Sequence, residues 1–182
     1  MDAHLDALTS VCHFLDYPGP QFFPAVTDCL DKVTAVDSIA AAKIHEFGKR
    51  TSGLALTELE ELYIQTFDMN ATCTLDLGWQ LFGEDYNRGL FLVKIRQEMK
   101  RLGIPESHEL PDHMSNVLKV LSRMEPDKAE DFAVSCVLPA VEKTCNAINE
   151  SCLYRPLMEA VVQLLSVAYA ETVKEASDGA LV

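Results

Sequence analysis

Apolar residues in this chain recur almost everywhere at three- and four-residue intervals, the spacing that buries one side of a helix rather than one face of a strand. Leu5, Leu8, Cys12 and Leu15 mark a first amphipathic helix, which has to stop before Pro18, Gly19 and Pro20. Phe22, Val26, Cys29, Leu30 and Val33 suggest a second, and Ile39, Ile44 and Phe47 a third that runs into a loop at Ser52 and Gly53. Thr57 with Glu60 reads as a capping box, opening a helix whose inner face carries Leu59, Leu62, Tyr63 and Phe67. After a polar break from Asp68 to Thr74, a short helix passes through Leu75, Trp79 and Phe82. Asp85 is the natural N-cap of a long helix from about Tyr86 to Leu102, and Gly103 ends it. Pro111, at a first helical position, opens the next, with Leu110, Met114, Val117, Leu118 and Leu121 on its apolar face. Asp127 caps another, which Pro139 must kink or break. The last begins near Arg155 and Pro156 and buries Leu157, Val161, Leu164, Leu165 and Ala168. The pattern predicts an all-α fold, a single-domain bundle of about eight to ten helices without strands. The domain covers residues 1–176, with a frayed tail at 177–182.

The 182 residues, 48% of them hydrophobic, suffice for one domain with a full core and are too few for two of ordinary size. A formal charge of -13 makes the average surface repel phosphate backbones and anionic lipid heads, so nucleic acid and membrane surfaces are poor partners. A peptide carrying arginines would meet no such penalty. The first residues lack the basic and apolar regions of a secretory signal, and Gln163 and Ser166 interrupt the most apolar stretch, so the expectation is a cytoplasmic protein with no stable membrane insertion. The six cysteines form no CxxC pair and no zinc spacing, and in a reducing compartment read as small buried apolar groups.

No phosphate loop, nucleophile elbow, paired-histidine zinc motif or calcium loop occurs. Polar and aromatic residues concentrate instead between positions 63 and 113, around the single tryptophan, Trp79. Asp112 and His113 fall in the first turn of their expected helix, where they could orient a bound main chain or, for the carboxylate, satisfy the helix dipole. Trp79 and Phe82 share a helical face that would ordinarily be core. Glu84 and Asp85 can serve as caps, and Arg88 can pair locally with either.

Three blocks in one order carry more information than these residues singly. They are Glu61 to Asp68, then Leu81-Phe82-Gly83-Glu84-Asp85 with Arg88 and Gly89, then Glu109-Leu110-Pro111-Asp112-His113. Together with Phe14-Leu15-Asp16-Tyr17-Pro18, they resemble the NarJ/TorD/DmsD family of molybdoenzyme maturation chaperones, most closely its nitrate reductase delta subunit (NarJ) branch, over residues 5 to about 125. The resemblance implies a helical bundle with a groove for the N-terminal peptide, a twin-arginine signal or its vestige, of a molybdopterin oxidoreductase catalytic subunit. The apo form of that subunit would be held during molybdenum cofactor insertion, before membrane targeting or export, with molybdenum cofactor biosynthesis proteins as further partners. Carried over by position, the peptide-binding residues are Tyr63, Phe67, Asp68, Trp79, Phe82, Glu84, Arg88, Pro111, Asp112 and His113, with Asp112 and His113 expected at the groove and not in the core. The resemblance implies no catalytic residue, metal or cofactor of the chain's own, and a monomer is expected. Four peptide side chains buried at ~1.5 to 3 kcal/mol each would give ~6 to 12 kcal/mol. Ordering the peptide removes ~2 to 5 kcal/mol of that, leaving a moderate, reversible affinity. The alternatives are a helical enzyme using Asp112 and His113, with Asp68 or Glu84, as metal ligands or acid and base, and a plain helical interaction module.

Overall fold

The computed structural model describes residues 3–169, so the predicted tail at 177–182 lies outside the described residues. The chain is an all-α bundle, with helices α1 (Ala3–Leu15), α2 (Phe22–Thr34), α3 (Ser38–Thr51), α4 (Leu56–Tyr63), α5 (Leu77–Phe82), α6 (Tyr86–Arg101), α7 (Met114–Leu121), α8 (Pro126–Phe132), α9 (Leu138–Ala147) and α10 (Arg155–Ala168). Two single π-helical turns extend this set, Ile64–Asp68 after α4 and Ala133–Val137 between α8 and α9. No helix among the described residues is long and apolar enough to cross a membrane.

Helix α10 is the hub. Its buried side chains pack on α3, α9 and α1, while α1 also lies against α2 and α7. A run of aromatic rings links these helices: Phe22 meets Phe14 at 5.2 Å, Phe14 meets Phe47 at 5.7 Å, Phe47 meets Tyr154 at 5.8 Å, and Tyr154 meets Phe67 at 5.0 Å. Phe67 then reaches Tyr63 at 5.1 Å. Most of these pairs are edge to face, an arrangement worth about 0.5 to 1.5 kcal/mol each beyond burial. The core therefore runs without a break from the first helices to the residues that line the candidate site. Cys12, Cys29, Cys73 and Cys145 are buried, Cys136 and Cys152 half-buried, and all six are free thiols. Burial pushes the Cys12 thiol up to about 12 and that of Cys29 to about 11, which keeps both protonated and inert.

Helix termini follow local chemistry closely where the signal is a backbone one. Asp85 accepts the N–H of Asn87 at 2.8 Å, and Asp37 caps α3 by accepting the N–H of Ala40 at 2.6 Å. Gly103 has φ +65°, and the N–H groups of Gly103 and Ile104 reach the carbonyls of Lys100 and Met99 at 3.3 and 2.8 Å, a Schellman closure of α6.

Four expectations need correction. The capping acid of α4 is Glu58, whose carboxylate accepts the Ala55 N–H at 2.7 Å, so the helix starts ahead of the Thr57 and Glu60 pair. Ile39 is 58% exposed, on the outer face of α3. Asp127 does not cap α8, because Glu125 holds the N-cap position and Pro126 the first helical one; at Pro139 the helix is interrupted as expected, by the π turn in which Leu138 N–H bonds the carbonyl of Ala133. Pro111 does not open α7, and Leu110 is 48% exposed instead of packed inward. The backbone at 112–114 is used in another way: Leu77 N–H donates to the Asp112 carbonyl at 2.9 Å and Met114 N–H to the Leu75 carbonyl at 2.8 Å. This short antiparallel bridge, Asp76 to His113, delays the helix until Met114 and leaves His113 as its N-cap.

Candidate functional site

The bridge between Asp76 and His113 brings the third sequence block against the segment that precedes α5. A cavity of about 460 Å³ opens beside it, with Tyr63, Phe67 and Asp68 from α4 and its π turn on one side, Trp79 and Arg88 from α5 and α6 on another, and Glu109, Leu110 and His113 closing it. Of the residues expected to bind peptide, Tyr63, Phe67, Asp68, Trp79, Arg88 and His113 line this cavity. Glu84 does not; it lines a smaller neighbouring hollow of about 360 Å³ that shares Trp79, Arg88 and Leu110. Phe82 packs into the core against Phe91, ring centres 5.8 Å apart. Pro111 and Asp112 are buried beneath the surface.

Asp112 sits at the base of the site and holds it together. Its side chain is fully buried, with Oδ2 accepting from Arg88 Nε at 3.2 Å, and Oδ1 finds no hydrogen-bond partner among the described residues. Burial, and then the neighbouring Asp76, push the Asp112 carboxyl above its ordinary range, with Arg88 opposing them. The second arm of the Arg88 guanidinium donates to Asp76 Oδ2 at 2.9 Å. Asp76 stands at the N-cap position of α5, but its carboxylate is turned to Arg88 and makes no cap bond. The guanidinium carbon also lies 5.5 Å from the centre of the Trp79 ring, a cation–π contact that fixes the indole at the cavity wall.

Gly78 makes this approach possible. A Cβ there would fall 2.5 Å from Asp112 Oδ2, 3.1 Å from a Phe91 ring carbon and 3.3 Å from Arg88 Cγ. Only a residue without a side chain lets α5 lie so close to the ion pair.

His113 is 4% exposed, and burial lowers its imidazole to about 4, so the ring is neutral at pH 7. Its Nδ1 lies 3.0 Å from Ser115 Oγ, which donates to Asp16 Oδ1, and Lys119 Nζ donates to the other oxygen of Asp16 at 3.3 Å. Its Nε2 is 3.4 Å from Tyr63 Oη, whose hydroxyl donates to the carbonyl of Leu15 at 2.8 Å. The order Asp16, Ser115, His113 places the serine between acid and imidazole, and Ser115 is fully buried, so the hydroxyl cannot reach a substrate as a nucleophile would. Asp112 and His113, adjacent in sequence, are committed to different partners: one to Arg88, the other to Ser115 and Tyr63. Among the described residues, no group of three or more His, Cys, Asp or Glu side chains is placed to hold a metal ion.

The cavity is acidic. Asp68, Asp76 and Glu109 line it, and Arg88 is already shared between two carboxylates. Burial raises the carboxyls of Asp68 and Glu109, and their acidic neighbours raise them further. An added cation would relieve that mutual repulsion. Around the acids lie exposed apolar side chains, Met69 at 77% and Leu110 at 48%.

Sequence reasoning did not find Asp76, Gly78 or Glu109 as site residues. Gly78, a glycine inside a short helix, carried a visible signal of close backbone approach. Asp76 looks like an ordinary helix cap, and Asp16, 99 residues from Ser115, carries no local mark of its partner. No protein-family model matches the chain, and no curated protein matches it.

Proposed function

We propose that the chain is an assembly chaperone of the NarJ type, which holds the N-terminal peptide of a molybdopterin oxidoreductase catalytic subunit while the molybdenum cofactor is inserted. The observation that carries this reading is convergence: Tyr63, Phe67 and Asp68 of the first block, Arg88 of the second, and Glu109, Leu110 and His113 of the third line one cavity. The chemistry of that cavity supports the same ligand class. Aromatic rings and exposed Met69 and Leu110 suit apolar anchors at helical spacing, and the carboxylates suit basic side chains such as those of a twin-arginine signal. At about 460 Å³ the cavity takes anchoring side chains, with the rest of the peptide lying across its mouth.

In this reading the chain acts in the cytoplasm on the apo form of its client, releases it before membrane targeting or export, and has molybdenum cofactor biosynthesis proteins as further partners. Its residues bind and orient; none is assigned a catalytic step, and the chain carries no cofactor of its own. Calorimetric titration with N-terminal peptides of molybdoenzyme catalytic subunits from the same genome tests it. Saturable one-to-one binding to a native peptide is expected, lost when its basic residues are replaced by glutamine. Silence across the panel, or equal binding of a scrambled peptide, would overturn the reading.

A further inference from the structure

The block Phe14-Leu15-Asp16-Tyr17-Pro18 supplies none of the residues that line the candidate cavity, yet the structure ties it to those that do. Helix α1 ends at Leu15, and the carbonyl freed there accepts the Tyr63 hydroxyl at 2.8 Å. Asp16 takes the hydroxyl of Ser115 on one oxygen and the ammonium of Lys119 on the other. Pro18, on the far side, is buried. Tyr17 is therefore held between anchored neighbours while its own side chain is 46% exposed, unlike Phe14 and Leu15, which are wholly buried. Its ring meets that of Tyr63 at 5.6 Å and nearly at right angles. A fixed aromatic ring left half in water beside a cavity is a preformed contact surface.

The groups around that ring are acids. Glu60 stands on α4 one turn before Tyr63, and the π turn that follows carries Asp68 to the cavity. Desolvation, and then Glu60 and Asp68, raise the Tyr17 hydroxyl above its ordinary value, so both carboxylates are within electrostatic reach of the ring. Neither of them makes an ion pair among the described residues. The same chain shows what such a set of groups holds. Arg88 lies 5.5 Å from the centre of the Trp79 ring and bonds the carboxylates of Asp76 and Asp112. An aromatic ring with two carboxylates beside it already holds a guanidinium in this fold.

We infer that Tyr17 is a recognition residue of the candidate site, receiving on its exposed ring the guanidinium of an arginine side chain whose charge Glu60 and Asp68 share. This rests on the chaperone reading and narrows it: the basic side chain of the bound peptide that comes nearest α1 is an arginine. A guanidinium is planar, forked and weakly hydrated, so it stacks on a ring while donating to the carboxylates beside it. A lysine ammonium, compact and strongly hydrated, does both less well. Asp68 also lines the cavity, which sets the arginine at the cavity's edge. Tyr63 then has two uses: its hydroxyl fixes the end of α1, and its ring joins Tyr17 to Phe67 and the core.

Titration of the full chain with Nα-acetyl-arginine amide, followed through the backbone amide resonances of the isotope-labelled protein, tests this without any client peptide. Saturable shifts at Tyr17 and Asp68 in the millimolar range are expected, with the citrulline analogue, equal in shape and uncharged, producing none. Tyr17→Leu should weaken binding by about fivefold or more, and Asp68→Asn by a similar factor, whereas Tyr17→Phe, which keeps the ring, stays within about twofold of the parent. Circular dichroism checks that each variant melts with the parent, as expected for a half-exposed side chain. Arginine amide bound at parental strength by Tyr17→Leu, equal shifts with citrulline, or no saturable shift would each overturn the proposal. The peptide reading fails separately. Molybdoenzyme peptides that stay silent while arginine amide binds through Tyr17 would remove the chaperone and keep the cation site, and a native peptide held equally by the parent and Tyr17→Leu would do the reverse.

Discussion

At the scale of single residues, Gly78 and His113 have the clearest measurable consequences. Replacing Gly78 by alanine puts a methyl group against a buried carboxylate, a phenyl ring and an arginine stem that cannot all retreat. The expected cost is about 1 to 3 kcal/mol in a urea denaturation series, the range for overpacking a tight contact. Separation of the Arg88 and Asp112 ion pair should accompany it. His113 supplies a pH dependence of defined sign. An unfolded histidine takes up a proton near its ordinary value of 6.5, whereas the buried ring holds out until about 4, so between these limits the unfolded chain binds more protons. Stability is therefore lost as pH falls through that window, by about 3 kcal/mol at most. The raised carboxyls of Asp68, Glu109 and Asp112 work in the opposite sense at its acid end, where the folded chain binds protons more readily. Denaturation midpoints from pH 7 to pH 5 should fall in the parent and flatten in His113→Gln. Equal slopes in both would remove His113 as the cause.

At the scale of elements, the ends of the helices decide where the site residues stand. Gly103 closes α6 in the left-handed region, so Gly103→Ala should destabilise the chain by about 1 to 2 kcal/mol, measured as a lower denaturation midpoint with no change in peptide affinity. The π turn at Ile64–Asp68 has a different role. The N–H of Met69 reaches the carbonyl of Ile64 at 2.9 Å, five residues back, and the wider turn carries Phe67 into the core and Asp68 to the cavity. Apolar spacing placed Tyr63 and Phe67 on one face correctly, because their burial follows from helical periodicity. It could not place the start of α7, because the backbone there bonds to residues 75–77, which are distant in sequence. The sequence accordingly points Asp112 and His113 to an open groove. The structure sinks Asp112 under Arg88 and leaves only His113 on the cavity wall.

At the scale of the whole molecule, net charge and local charge pull in different directions. The chain carries -13, and the candidate cavity gathers Asp68, Asp76 and Glu109 around an arginine that is already shared. A basic peptide would be steered toward that cavity, and its binding should weaken steadily as salt is raised. Asp68→Asn combined with Glu109→Gln should reduce peptide affinity by about tenfold, read by titration calorimetry, with a melting temperature equal to or above the parent's. The second half of that expectation follows from the repulsion among these acids. A parallel fall in melting temperature would mean that they stabilise the fold instead of waiting for a cation.

The sequence by itself determined the helices, most of their ends and the residues that fill the core, because these depend on periodicity, proline, glycine and caps within a few positions of one another. It also marked Tyr63, Phe67, Asp68, Trp79, Arg88 and His113, which line the cavity. Only the tertiary structure decided which polar groups face each other there: Asp76 and Asp112 across Arg88, and Asp16 with Ser115 and His113. A carboxylate's charge state and purpose are set by how much water it loses and which partners replace that water, and both are fixed by contacts between residues far apart in the chain.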